Sequence, residues 1–73
     1  MEGEIKQNDV YSNGVYKCVV LIPKAVNPVS GEKYVIYKTL KENSVTIFVE
    51  KKEVFEQIYT FEYNLYERID KHR

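Results

Sequence analysis

Few residues in this chain can do chemistry, and their spacing does not assemble them. His72 is the single histidine and Cys18 the single cysteine among 73 residues. His72 sits in the charged run Asp70-Lys71-His72-Arg73, where nothing orients its second ring nitrogen, so it makes a poor base or metal ligand. A metal site needs three or four clustered ligands, which one Cys and one His do not supply. Glu50, Glu53 and Glu56 recur every third residue. On a helix that spacing splays the carboxylates, and the neighbouring Lys51 and Lys52 mark a solvated face. Gly3, Gly14 and Gly31 are isolated, so no phosphate-cradling loop forms. No serine has a base to activate it. The expectation is a non-catalytic protein without metal or cofactor.

The tyrosines are the stronger lead. There are seven, with three Phe and no Trp. Tyr16, Tyr34, Tyr37, Tyr59, Tyr63 and Tyr66 exceed what so small a core can bury, so some rings must stand at the surface. Exposed tyrosines bury a large area on a partner with few rotamers to freeze. Interleaved with Lys17, Lys33, Lys38 and Lys41, they can also stack on bases. The candidate binding residues are Tyr16, Lys17, Tyr34, Tyr37, Lys38 and Tyr63. The same rings can instead form cross-strand pairs that only stabilise a two-sided sheet, and the sequence leaves both readings open.

The elements that must position these side chains belong to one small domain. A chain of this length buries only about 60% of the surface its unfolded form exposes, so its core is thin. The composition, 44% hydrophobic and 30% charged, is that of a globular protein. Eleven basic residues balance eleven acidic ones, which removes the overall basic excess expected of a sequence-independent nucleic-acid binder. A lone Cys inside Tyr16-Lys17-Cys18-Val19-Val20-Leu21-Ile22 reads as a small buried hydrophobe in a reducing compartment. The segment Met1-Glu2-Gly3-Glu4-Ile5-Lys6 lacks the basic and apolar stretches of a signal peptide. The apolar run Val19-Val20-Leu21-Ile22 is far short of a membrane span. The expectation is a soluble, cytoplasmic protein.

Residues 1–8 are polar and read as loose, like residues 70–73. A short extended segment, Asp9-Val10-Tyr11, precedes the turn signal Ser12-Asn13-Gly14. Residues 15–22 follow as a strand that Pro23 ends, because proline has no N–H to donate. Residues 24–32, with Asn27-Pro28 and Ser30-Gly31, read as a long exposed loop. A second strand over 33–40 presents Tyr34, Ile36, Lys38 and Leu40 on one face and Val35, Tyr37 and Thr39 on the other. Lys41-Glu42-Asn43-Ser44 joins it to a paired strand over 45–50. There Val45, Ile47 and Val49 oppose Thr46, Phe48 and Glu50. In residues 51–58 the period changes, and Val54, Phe55 and Ile58 form the apolar stripe of a helical turn that drops Phe55 into a barrel mouth. Residues 59–69 fit both strand and helix, with aromatic enrichment favouring a closing strand. The fold class is mainly β: a small SH3-like or open five-stranded barrel with one short helical turn.

Val10-Tyr11, Tyr16 with Cys18-Val19, Gly31-Glu32 with Val35 and Tyr37, then Val49 and Phe55 carry a family pattern. Over residues 9–58 the chain resembles domain-of-unknown-function family 1653, small bacterial and phage proteins. The resemblance implies an SH3-like barrel of prokaryotic or phage origin, and no activity. Ser12-Asn13-Gly14 stands where the family has a His-x-Lys-Gly segment, and Phe48-Val49-Glu50-Lys51 where it has Trp/Val-Arg-Pro. Any activity resting on that His and Arg does not transfer. The function expected is an interaction module that binds a host protein through a Tyr-rich strand face or edge, with no membrane partner. A nucleic-acid-binding barrel and a small-molecule or nucleotide sequestering protein are the alternatives. A homodimer through residues 59–66 is a further expectation.

Overall fold

In the computed structural model, the described residues are 4–41 and 46–67. The expected connection at 41–44 falls largely outside them, as does Val45. The charged run with His72 falls wholly outside.

The chain is mainly β. Strands β1 (Asp9–Ser12), β2 (Lys17–Val26), β3 (Lys33–Thr39) and β4 (Ile47–Lys51) lead into helix α1 (Lys52–Ile58) and strand β5 (Thr60–Asn64). They form one antiparallel sheet in the order β4-β3-β2-β1-β5. With a helical turn linking the fourth strand to the fifth, this is a small open barrel of SH3-like layout. A second short helical turn covers residues 65–67.

The β1–β2 turn forms where Ser12-Asn13-Gly14 predicts it. Asn13 Oδ1 accepts from the N–H groups of Val15 (2.9 Å) and Tyr16 (2.8 Å), and Ser12 Oγ accepts from Gly14 N–H (3.1 Å). Gly14 adopts φ +93°, a region that glycine enters without steric cost.

Strand β2 differs from expectation. It does not end at Pro23 but runs on to Val26, so the exposed loop shrinks to residues 27–32. Two bulges make this possible. From Val20 to Ile22 the strand advances two residues while β3 advances one, from Tyr37 to Ile36. From Ile22 to Ala25 it advances three while β3 advances two, to Tyr34. Pro23 lies inside the second irregularity, where a missing N–H breaks no ladder bond. The first bulge turns Ile22 to the reverse face, opposite Ile36. That explains why this stretch reads as continuously apolar rather than alternating.

The main core lies on the face shared by Tyr11, Cys18 and Tyr37, while Val10 and Val19 are buried on the reverse face. Cys18 and Val20 from β2, Val35 and Tyr37 from β3, Tyr11 from β1 and Phe55 from α1 pack with Ile5. Residues 4–8, expected to be loose, are tied down instead. Ile5 joins the core, Asn8 N–H donates to Val20 O (2.9 Å), and Leu65 N–H donates to Asn8 O (3.0 Å). The helical stripe is narrower than expected as well. Phe55 is fully buried, whereas Val54 is half-buried and Ile58 exposed.

Candidate interaction surface

An open sheet of this order has two edges, β4 and β5, and the chain treats them differently. Strand β4 begins Ile47-Phe48-Val49, and all three side chains are exposed, at 58%, 39% and 60%. Its register explains why. Tyr37 faces Phe48 and Val35 faces Glu50, so Phe48 and Glu50 share the core face. Ile36 faces Val49 and Lys38 faces Ile47, so those two share the reverse face. Ile22 lies beside Ile36 in the next strand. Ile22, Ile36, Val49 and Ile47 therefore make an apolar patch on the reverse face that runs to the edge.

On the core face, β4 ends a chain of aromatic contacts. Phe48 stacks on Tyr37, with centroids 5.5 Å apart and an interplanar angle of 24°. Tyr37 meets Phe55 (5.0 Å) and Tyr59 (5.5 Å), Phe55 meets Tyr11 (5.0 Å), and Tyr11 meets Phe61 on β5 (5.6 Å). The two edges are thus joined through Phe55, the residue that α1 drops between them. The Tyr37 hydroxyl donates to Glu50 Oε1 (3.3 Å). Burial raises its pKa well above the ordinary value, and hydrogen bonding to Tyr59 adds to the shift. Burial also pushes Tyr11 up to about 12 and the Cys18 thiol up to about 11. Burial disfavours the Cys18 thiolate, the form that attacks electrophiles.

Strand β5 is a guarded edge. Between Tyr63 and Phe61 it advances two residues while β1 advances one, from Val10 to Tyr11, leaving Glu62 in a bulge. Bulges and charges are devices that keep an edge from pairing further. The strand then stops at Asn64, which is buried and fully engaged. Its Nδ2 donates to Asp9 Oδ1 (2.8 Å) and Gln7 O (3.1 Å). Its Oδ1 accepts from the N–H groups of Tyr66 (2.9 Å) and Glu67 (3.2 Å), capping the helical turn that follows.

The sequence candidates scatter. Tyr37 is a core residue, 4% exposed, and so no surface anchor. Its alternation partners Tyr34 and Lys38 lie on the reverse face, and the parity of β2 puts Lys17 there too. Tyr63 faces Val10, on the opposite side from Tyr11 and Phe61. Tyr16 is exposed beside the β1–β2 turn. Lys33 alternates to the face opposite Tyr34 and Lys38, so the four lysines do not share one face with a tyrosine. Tyr34 donates to Glu32 Oε1 (2.6 Å), and Lys51 Nζ approaches Glu32 Oε2 (3.3 Å). These two partners hold the Glu32 carboxyl below its usual range.

A shallow polar cleft of about 300 Å³ is lined by Gly31, Glu32, Lys33, Lys51, Lys52, Glu53 and Glu56. Its acids and lysines match in number, and Lys52 already pairs with Glu56 (3.1 Å). Among the described residues, no group of His, Cys, Asp and Glu can hold a metal ion. No helix there is long and apolar enough to cross a membrane. Comparison of the chain with protein-family models, curated proteins and solved structures finds no match. What the protein does must be read from its own surface. The β4 edge is the feature that sequence reasoning missed. Its signal was present in Ile47-Phe48-Val49, three apolar residues in a row with no charge or proline, but edge position depends on topology.

Proposed function

We propose that this chain is a non-catalytic protein-interaction module whose β4 edge receives an added β-strand. The observation that carries this reading is the run of three exposed apolar side chains, Ile47 to Val49, on a regularly paired edge strand whose charges, Glu50 and Lys51, come only at its C-terminal end. Strand addition supplies main-chain hydrogen bonds for affinity, and alternate side chains supply specificity. Here Ile47 and Val49 present one surface to the incoming strand and Phe48 the other. The preferred partner is an extended segment with apolar residues on both faces. A lone buried Cys18 fits a reducing compartment and supports a host protein in the cytoplasm as its source.

Affinity capture from host lysate, with and without nuclease, tests this with Val49→Lys as the comparison. A nuclease-resistant protein that the wild type captures and Val49→Lys loses supports the reading. Capture that survives Val49→Lys overturns the assignment to β4. Nuclease-sensitive capture puts nucleic acid in first place.

A further inference from the structure

We infer that, when no partner strand is bound, the β4 edge pairs with β4 of a second copy of this chain, antiparallel about a two-fold axis at Phe48. The inference rests on the reading of β4 as the docking edge, and names an occupant for it. It follows from how β4 matches itself. Two copies joined edge to edge by a two-fold axis perpendicular to the sheet keep their faces aligned. The register must then centre on a residue, and the choices along β4 are few.

Centring on Phe48 sets Ile47 of each copy against Val49 of the other and Phe48 against Phe48. Glu50 then faces Thr46, so no like charges meet. Centring on Glu50 sets carboxylate against carboxylate. Centring on Val49 sets Phe48 against Glu50 and Ile47 against Lys51, and centring on Ile47 sets Phe48 against Thr46. The Phe48 register alone matches all three exposed apolar residues with apolar partners. It also makes the reverse-face patch of Ile22, Ile36, Ile47 and Val49 continuous across the axis. On the core face it extends the stacked Tyr37–Phe48 pair into a four-ring row. The formal net charge of zero removes long-range repulsion between copies. A single short strand is a small interface, so the pairing is concentration dependent, and a longer or better-matched partner strand displaces it.

The test is sedimentation equilibrium of the whole chain across a broad concentration range, with two further variants. The wild type should pass from monomer to dimer. Val49→Lys should raise the dissociation constant at least about tenfold, because it buries an unpaired charge beside the axis. Phe48→Cys should form an intermolecular disulfide on oxidation, since its two copies face one another at cross-strand distance. Phe61→Cys on β5 should not, and the buried Cys18 gives no background. A wild type that stays monomeric throughout overturns the self-pairing. So does a dimer that Val49→Lys leaves intact, or cross-linking at Phe61→Cys rather than Phe48→Cys. A monomeric wild type whose lysate capture still depends on Val49 removes the second copy but leaves the docking edge standing. Capture that ignores Val49→Lys removes the docking edge itself.

Discussion

Strands β4 and β5 close the two sides of the same sheet, yet they are defended differently: β5 at its middle by a bulge and a charge, β4 only at its C-terminal end by Glu50 and Lys51. On β5, Glu62 is bulged out of register, and the strand terminates in an Asn64 that satisfies four hydrogen bonds at once. On β4, regular pairing with β3 continues through all five residues, and apolar side chains project from both faces. Phe48 and Phe61 are both partly exposed aromatic rings at the ends of the same aromatic chain. What separates them is the backbone edge beside each ring. Phe61 stands beside a bulged edge that carries Glu62, whereas Phe48 stands in a regularly paired stretch whose charges, Glu50 and Lys51, come only at its end. On the function proposed above, the edge, more than the count of tyrosines, decides where this fold recognises another chain.

The largest predicted effect attacks what the two edges share. Phe55→Ala removes the ring joining the Tyr37–Phe48 and Tyr11–Phe61 contacts, and should cost about 3–5 kcal/mol in chemical denaturation. For a domain of this size, that approaches the whole stability. If the loss were instead well under that range, the edges would be supported independently.

The next effect is confined to one edge. Asn64→Ala leaves buried Asp9 without its side-chain donor and uncaps the turn at 65–67, costing about 1–3 kcal/mol. Amide exchange should accelerate in β5 and leave β4 unchanged. Equal acceleration in both strands would break the separation drawn between them.

Smaller still at ordinary pH is the response to alkali. Cys18, Tyr11 and Tyr37 all have pKa values raised by burial, so the folded state holds their protons more tightly than the unfolded state does. Their contribution is fully present below the unfolded values and is lost as pH rises through the folded ones. Thermal stability should begin to fall above about pH 9, the ordinary Cys value, and fall more steeply above 10 as the tyrosines join. These groups lie between the edges, so β4 and β5 should melt together; separate transitions would contradict a shared core. The smallest effect on stability belongs to Val49→Lys. At a site 60% exposed, the unfolding free energy should change by no more than about 0.5 kcal/mol. Any change in association is then an edge effect and not a folding defect.

Much of this frame is legible in the sequence where structure is local. The Asn13-Gly14 turn, the two faces of residues 33–40 and the descent of Phe55 into the barrel all follow from turn chemistry and periodicity. What was not legible depends on pairing across the chain. Pro23 signals an end only if its N–H would be used, and a bulge opposite β3 removes that need. Ile5 reads as part of a polar stretch until a core closes over it. Alternation separates Tyr34 from Tyr37 but cannot say which faces inward; packing against Phe55 decides that. Residues 59–69 read as ambiguous because both readings hold in turn: a strand to Asn64, then a helical turn that Asn64 caps. The same limit hid the β4 edge, because nothing local in Ile47-Phe48-Val49 says whether a fifth strand lies beyond it.

The most direct test of the β4 edge is residue-resolved amide exchange of the wild-type chain at low and high concentration. Edge pairing predicts that amides of Ile47–Lys51 gain protection as concentration rises while those of Thr60–Asn64 do not change. Protection gained on Thr60–Asn64, or on neither strand, would contradict it.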